Sequence, residues 1–390
     1  MTRLSTRFAL ALAAMAFQPA LALESHTVER RFPLAADQTL RLATVAGTVE
    51  VVPGTTNEVV VTIKAHGERR DLVQALNLVR NDSQRGEWAV SFPVDDYVAF
   101  HYPELDHEGD SWDGGFFGRL FAGLFGASTG STYLGKEVRV TATSSRNSPT
   151  LWADLRVVVP ASGRVEVRSL AGPMKGTGAL AGELRLDTRA RGSVTLESFR
   201  GTLEVDTGSG CVDIGRAEGK TSVDTGSGGI RIAELIGDAV LDTGSGGIEV
   251  ERVDGGRVVA DTGSGGVRIR NGRVRELVAD TGSGGVKVLN VEVETLHADT
   301  GSGGVTVHSS LASARDLQID TGSGRVEIVA GPAADFTIAA SLGSGRLRVG
   351  YDDARLEHDG REVVGATRGS GKTRIVVDTG SGGCEIRPAG

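Results

Sequence analysis

The sequence predicts an all-β protein: a parallel β-solenoid (β-helix) of about 18–21 residues per rung, begun by an N-terminal β cap region with a long insertion. Three observations predict it. The word Asp-Thr-Gly-Ser-Gly occurs eight times, and its first seven starts are spaced by 18, 18, 19, 19, 19 and 21 residues. Aliphatic residues alternate with polar ones on both sides of each word. Glycine is abundant (56 residues) while aromatics make up only 5% of the chain, which suits narrow, repetitive packing.

A fixed period near 20 residues signals a repeat architecture. Around one word, Leu277 and Ala279 alternate with Val278 and Asp280, and Val286 and Val288 flank Lys287. A period of two is that of a strand, not a helix. A single unit cannot bury its apolar side, but stacked units align like positions into one column. Neighbouring strands lie about 4.8 Å apart, so ten units would form a rod on the order of 50 Å long. The glycines suit a tight corner, and Val253, Val274, Val291 and Leu311 read as apolar anchors of the segments that close each rung.

Residues 1–22 read as a signal peptide. Arg3 and Arg7 precede an apolar run from Phe8 to Phe17, and Ala20-Leu21-Ala22 is a small-x-small cleavage site. Residues 23–160 form the N-terminal β region, in which Leu40–Val51 is a worn copy of the repeat. Leu72, Ala75, Leu76 and Val79 predict a short helix within 69–79. Residues 93–135 are an insertion holding nine aromatics, and 116–125 has the pattern of an amphipathic helix. Tyr97, Trp112, Phe116, Phe117, Phe121 and Phe125 are its candidate partner contacts, set against a plain role as a cover for the solenoid end. Membrane contact through 116–125 is a third reading. Residues 161–390 are the Asp-Thr-Gly-Ser-Gly solenoid.

The candidate structural row is Asp206, Asp224, Asp242, Asp261, Asp280, Asp299, Asp320 and Asp378, with degenerate copies at Asp187 and Ser341. Carboxylates about 4.8 Å apart repel by roughly 1 kcal/mol at the dielectric of water and about 3.5 kcal/mol at an effective value of 20. Three arrangements would offset this. The carboxylate can accept N–H groups of its own turn, bind Ca²⁺, or hold its proton. The first is the expectation, with Thr and Ser of the word turned into the corner and no resident cofactor. Cys211 and Cys384 lie too many repeats apart to form a disulfide.

Other words point elsewhere and fail on spacing. Hydrophobic-Asp-Thr-Gly-Ser is the catalytic word of aspartic proteases, but that chemistry needs one pair of carboxylates, not a ladder. Gly369-Ser370-Gly371-Lys372-Thr373 is close to a phosphate-binding loop, but position 366 is Ala where the pattern needs Gly. His101, Asp106, His107 and Glu108 form a candidate metal set of low specificity. No Ser-His-Asp constellation stands out, so no catalytic residue is assigned. The net charge of −8, or −10 once Arg3 and Arg7 are removed, disfavours nucleic acid.

Short strands ending in Asp-Thr-Gly-Ser-Gly-Gly-Val-x-Val behind a signal peptide resemble a bacterial family of adhesin-like β-strand-repeat proteins that carry a domain of unknown function. The resemblance covers roughly 40–390, apart from the insertion. It implies a parallel β-helix at the cell envelope and no catalytic residues. The expectation is an exported, non-enzymatic scaffold in the periplasm, at the cell surface or secreted, that binds an envelope protein or surface polysaccharide. The alternatives are a polysaccharide-cleaving enzyme on a β-helix and an envelope regulatory protein that acts through 93–135.

Overall fold

A computed structural model of the chain describes residues 23–35, 38–81, 86–106 and 128–389. The segment read as a signal peptide and the 116–125 helix lie outside these residues. The described chain is all-β, with one short α-helix and one 3₁₀ turn.

One large sheet contains nearly every strand. From Val194 onward the strands Val194–Thr207, Val212–Thr225 and Ile230–Thr243 each cover almost a whole rung. Each pairs in parallel, in register, with the next: Val205 faces Val223, and Val223 faces Leu241. The sequence places identical positions one repeat apart, and the hydrogen-bond register superimposes them. The aliphatic rows are therefore continuous. Leu277, Ala279, Val286 and Val288 are all buried, as are the anchors Val253, Val274, Val291 and Leu311.

A second corner lies inside the long strands. Gly182, Gly201, Gly219 and Gly237 stack in one row, each with positive φ. A side chain there would collide with the carbonyl of the rung below, so the bend itself demands glycine.

The rungs do not follow chain order at the C-terminal end. Thr373–Thr379 lies between Asp316–Thr321 and Phe336–Leu342 and is parallel to both. Cys384–Pro388 likewise lies between Val326–Ala330 and Leu347–Val349. The full word at Asp378 thus joins the other full words, and the worn copy at Ser341 becomes the last rung. The hairpin of Arg355–Asp359 and Glu362–Arg368 closes this end, with its second strand antiparallel to Phe336–Ala339. Arg368 clamps the cap: its guanidinium lies over the Tyr351 ring at 4.7 Å and pairs with Asp353 at 2.7 Å.

The N-terminal region continues the same rows. Thr39–Ala46 pairs in parallel with Arg164–Ala171, which pairs in parallel with Met174–Thr188, so Ala43, Arg168 and Asp187 are row neighbours. The worn copy at Leu40–Val51 is therefore a true rung, broken at Gly47. The edge strand Glu24–Pro33 pairs antiparallel with Glu58–Gly67. Its exposed charges and terminal proline blunt it against further pairing.

The expected helix spans only Arg70–Ala75. Leu72 and Leu76 are buried as expected, but Val73 replaces Ala75 on the inner face. No side chain caps its N-terminus, and Leu76 turns extended. Leu78–Asn81 then pairs as a strand with Glu87–Val90, because tertiary pairing outweighs a weak local preference. A separate small sheet joins Ala99–His101, Ser128–Tyr133 and Lys136–Thr141.

Candidate functional site

The aspartate corner is built residue by residue from the alternation of the strand that enters it. In each full word Asp points outward and is exposed, while Thr points inward and is buried. Thr281 Oγ1 accepts the N–H of Gly284 in its own turn at 3.0 Å and donates to the Gly265 carbonyl of the preceding rung at 2.7 Å. Thr243, Thr262 and Thr300 repeat both bonds. The hydroxyl both shapes a turn and ties two rungs together. Serine does not share this role. Ser209, Ser227 and Ser283 are exposed, contrary to the sequence expectation, because the strand has already left the core at that position.

The aspartates form one unbroken row. Asp187, Asp206, Asp224, Asp242, Asp261, Asp280, Asp299, Asp320 and Asp378 face one another in successive pairings. The expected turn bonds to the eight carboxylates from Asp206 to Asp378 are absent among the described residues; Thr has taken the turn N–H instead. Burial, and then the charges of the neighbouring aspartates, raise the carboxyls of Asp224, Asp280 and Asp320 above the ordinary value.

The row on the other side of the corner behaves differently. Glu249 is approached by Arg231 of the preceding rung at 3.4 Å and by Arg268 and Arg270 of the following rung at 3.1 and 3.2 Å. Alternating signs neutralise that face, whereas no ion pair reaches the row from Asp206 to Asp378 among the described residues. Along that line the negative charge of the stack goes unpaired from rung to rung. Near its C-terminal end a groove of about 470 Å³ is lined by Asp280, His297, Asp299, Asp320, Arg374 and Asp378. Arg374 Nη1 points to Asp316 at 3.1 Å.

The remaining predicted residues are placed apart from this row. Tyr97 is half-buried, accepts from Arg69 Nη1 at 2.7 Å and packs 6.3 Å from Phe100. Trp112, Phe116, Phe117, Phe121 and Phe125 lie outside the described residues. Other aromatics of the insertion, Phe100, Tyr102 and Tyr133, are buried in the core, as a cover requires. His101 Nδ1 meets Thr150 Oγ1 at 3.0 Å, while His107 and Glu108 are not described. Among the described residues no three His, Cys, Asp or Glu side chains converge to hold a metal ion. Cys211 is exposed, Cys384 is buried, and both are free thiols. Burial pushes the Cys384 thiol up to about 12.

The phosphate-loop word is already occupied. Asp335 Oδ2 accepts from Ser370 Oγ at 2.7 Å, and Asp335 Oδ1 accepts from the Lys372 N–H at 2.9 Å. Backbone N–H groups of Ser370 and Gly371 also stabilise this carboxylate. The loop is an anion nest, and the anion is the chain's own side chain.

Residues 220–387 match the family described as Toastrack DUF4097. None of the curated proteins matches the chain. Among solved structures, a putative adhesin from Bacteroides fragilis is similar over 93% of this chain and 97% of that one, at 9% identity and a TM-score of 0.30. A putative cell adhesion protein from Clostridium sporogenes is similar over 93% of this chain and 100% of that one, at 9% identity and a TM-score of 0.18. The rungs from Lys220 to Arg387, with their aspartate row and threonine-tied corners, are the part of the chain that matches Toastrack DUF4097, a domain of unknown function.

Proposed function

We propose that the stack is a parallel β-solenoid and that the protein is an exported, non-enzymatic scaffold. It binds a surface partner of the cell envelope along its outer face and needs no resident cofactor. Residues 1–22 direct export, 23–160 begin and cap the solenoid, and 161–390 form its body.

The observation that carries this reading is the register of the aspartate row. One unpaired carboxylate recurs at every rung from Asp206 to Asp378 on a rigid support. A regular array of identical groups suits a repetitive or extended partner, because each rung adds the same contact. An enzyme needs the opposite, a few unlike groups converging on one point.

Two measurements test the reading. A reporter active only outside the cytoplasm, fused behind residues 1–30, should be active. The full chain should sediment saturably with isolated bacterial envelopes, and a variant with Asp242, Asp261, Asp280 and Asp299 changed to Asn should not. Release of reducing ends from uronic-acid polymers would replace the scaffold with the enzyme. A sharp rise in Tm with millimolar Ca²⁺, with unfolding by EDTA, would make the row a metal-binding one.

A further inference from the structure

A strand has two edges, and at the C-terminal end both are taken in an unusual order. Asp316–Thr321 gives one edge to residues 295–300 and the other to Thr373–Thr379. Phe336–Leu342 gives one edge to the cap strand Glu362–Arg368 and the other again to Thr373–Thr379. Cys384–Pro388 stands in the same way between Val326–Ala330 and Leu347–Val349. The rungs up to Ala330 and the cap of residues 336–368 therefore pair through the inserted segment. Its inward side chains fill the gap: Ile375, Val377, Cys384 and Ile386 are each at most 1% exposed. The gap also demands the glycine corner. A Cβ on Gly382 would lie 1.7 Å from the Gly324 carbonyl oxygen, so a strand pair without this word does not fit.

The chain enters the gap through a short turn, residues 369–372. Gly369, Ser370 and Lys372 are exposed. Gly369 and Gly371 take positive φ, 67° and 76°. A Cβ on Gly369 would stand 2.8 Å from the Asp335 carboxyl carbon. The contacts at this end thus fall into two sets. Those inside the gap, such as the bond from Thr373 Oγ1 to the Ala314 carbonyl at 3.0 Å, are the same whichever copy of the chain supplies the segment. The left-handed turn folded on Asp335 exists only where residues 368 and 373 belong to one copy.

We propose that residues 373–389 are exchanged between two copies of the chain, each copy's segment filling the gap of the other. Exchange of an identical element keeps every contact except those of the hinge, which makes it a low-cost route to a dimer. The hinge has the reach. Stretched at about 3.3 Å per residue, the chain from 368 to 373 spans roughly 16 Å, so the two gaps open toward each other across a two-fold axis. The closed chain competes with the second copy through an effective concentration in the millimolar range, as expected for a short link. The exchanged form therefore gains as the chain is concentrated or as the turn is weakened. This inference is independent of the envelope partner and of the aspartate row.

The test uses the full chain with the exposed Cys211 changed to Ser. It is refolded from denaturant at about 1 mM and at about 1 μM, on either side of the effective concentration, and its mass is read by light scattering on a sizing column. The concentrated sample should contain a dimer and the dilute one only monomer. Gly369→Ala strains the closed turn and not a stretched hinge, so it should lower the concentration for half-dimer by at least about fivefold. Asp335→Asn should act in the same direction, which covers a folding defect in Gly369→Ala. Residues 316 and 374 face each other across the gap. One chain carrying Asp316→Cys, refolded at about 1 mM with a differently tagged chain carrying Arg374→Cys, should be joined to it by a short thiol cross-linker. Monomer alone at both concentrations in the parent and both variants, or a dimer that gives no 316–374 product between chains, would overturn the proposal.

Discussion

Asp335 Oδ1 accepts the backbone N–H of Lys372 at 2.9 Å. This bond ties the turn before Phe336 to the turn that starts the inserted strand, 37 residues later in the chain. The bonds from Ser370, Gly371 and Lys372 hold the Asp335 carboxyl down at about 2. A depressed carboxyl stabilises the fold fully above the ordinary value of 3.8, and that contribution is lost as pH falls through about 2. Asp335→Asn should therefore lower the Tm at pH 7, and the gap to the parent should close between pH 4 and pH 2. A gap independent of pH would mean that the carboxylate charge has no part in the nest.

Asp224, Asp280 and Asp320 titrate in the other direction. A carboxyl raised in the folded state favours folding fully below 3.8, and this gain disappears as pH rises through its higher folded value. At neutral pH each ionised rung repels the next, by less than about 1 kcal/mol after screening by physiological salt. Asp280→Asn should raise the Tm at pH 7, and the gain should vanish at pH 3 and shrink in 1 M salt. Thermal melts across pH and salt measure all three effects.

The threonine of the corner has a larger stabilising role than the aspartate. Thr281→Val keeps the shape but leaves the Gly284 N–H without its acceptor and the Gly265 carbonyl without its donor. The expected cost is about 1–3 kcal/mol. Ser283→Ala, two residues away and exposed, should fall within about 0.5 kcal/mol of the parent. Urea unfolding of the two variants provides the comparison.

Adjacent glycines should differ in tolerance. A Cβ on Gly284 would collide with the Gly265 carbonyl oxygen of the rung below. At Gly285 it would sit 3.1 Å from the Gly304 carbonyl oxygen, a tight but relievable contact. Cys211 and Arg325 already occupy that position of the word in other rungs. Gly284→Ala should cost about 3 kcal/mol or more, and Gly285→Ala less than about 1 kcal/mol. Equal Tm values for the two variants would contradict this packing.

Much of this was legible in the sequence because it is periodic. Alternation around the word fixes which residues face inward, and identical words fix which residues share a row. Periodicity does not say which copies touch. The step from Asp320 to Asp378 passes over a worn copy, and only the pairing shows that the later word returns to lie beside the earlier one. The corner was half legible. Asp and Thr both bond to turns in isolation, and the choice between them follows from which one the strand turns inward. The burial of Asp187, the first aspartate of the row, was not legible, since Glu87, Arg168 and Arg189 come to it through register and not through any shared motif.

The insertion of Thr373–Thr379 between two earlier rungs affects how the molecule is made. A chain leaving the ribosome or crossing a membrane from its N-terminus presents Asp316–Thr321 and Phe336–Leu342 with a vacant berth between them. Their mutual contact is supplied by a segment that arrives after both. Assembly here fills an interior slot and does not add a layer on top, and a chain cut short before residue 373 loses the joint between Asp316–Thr321 and Phe336–Leu342.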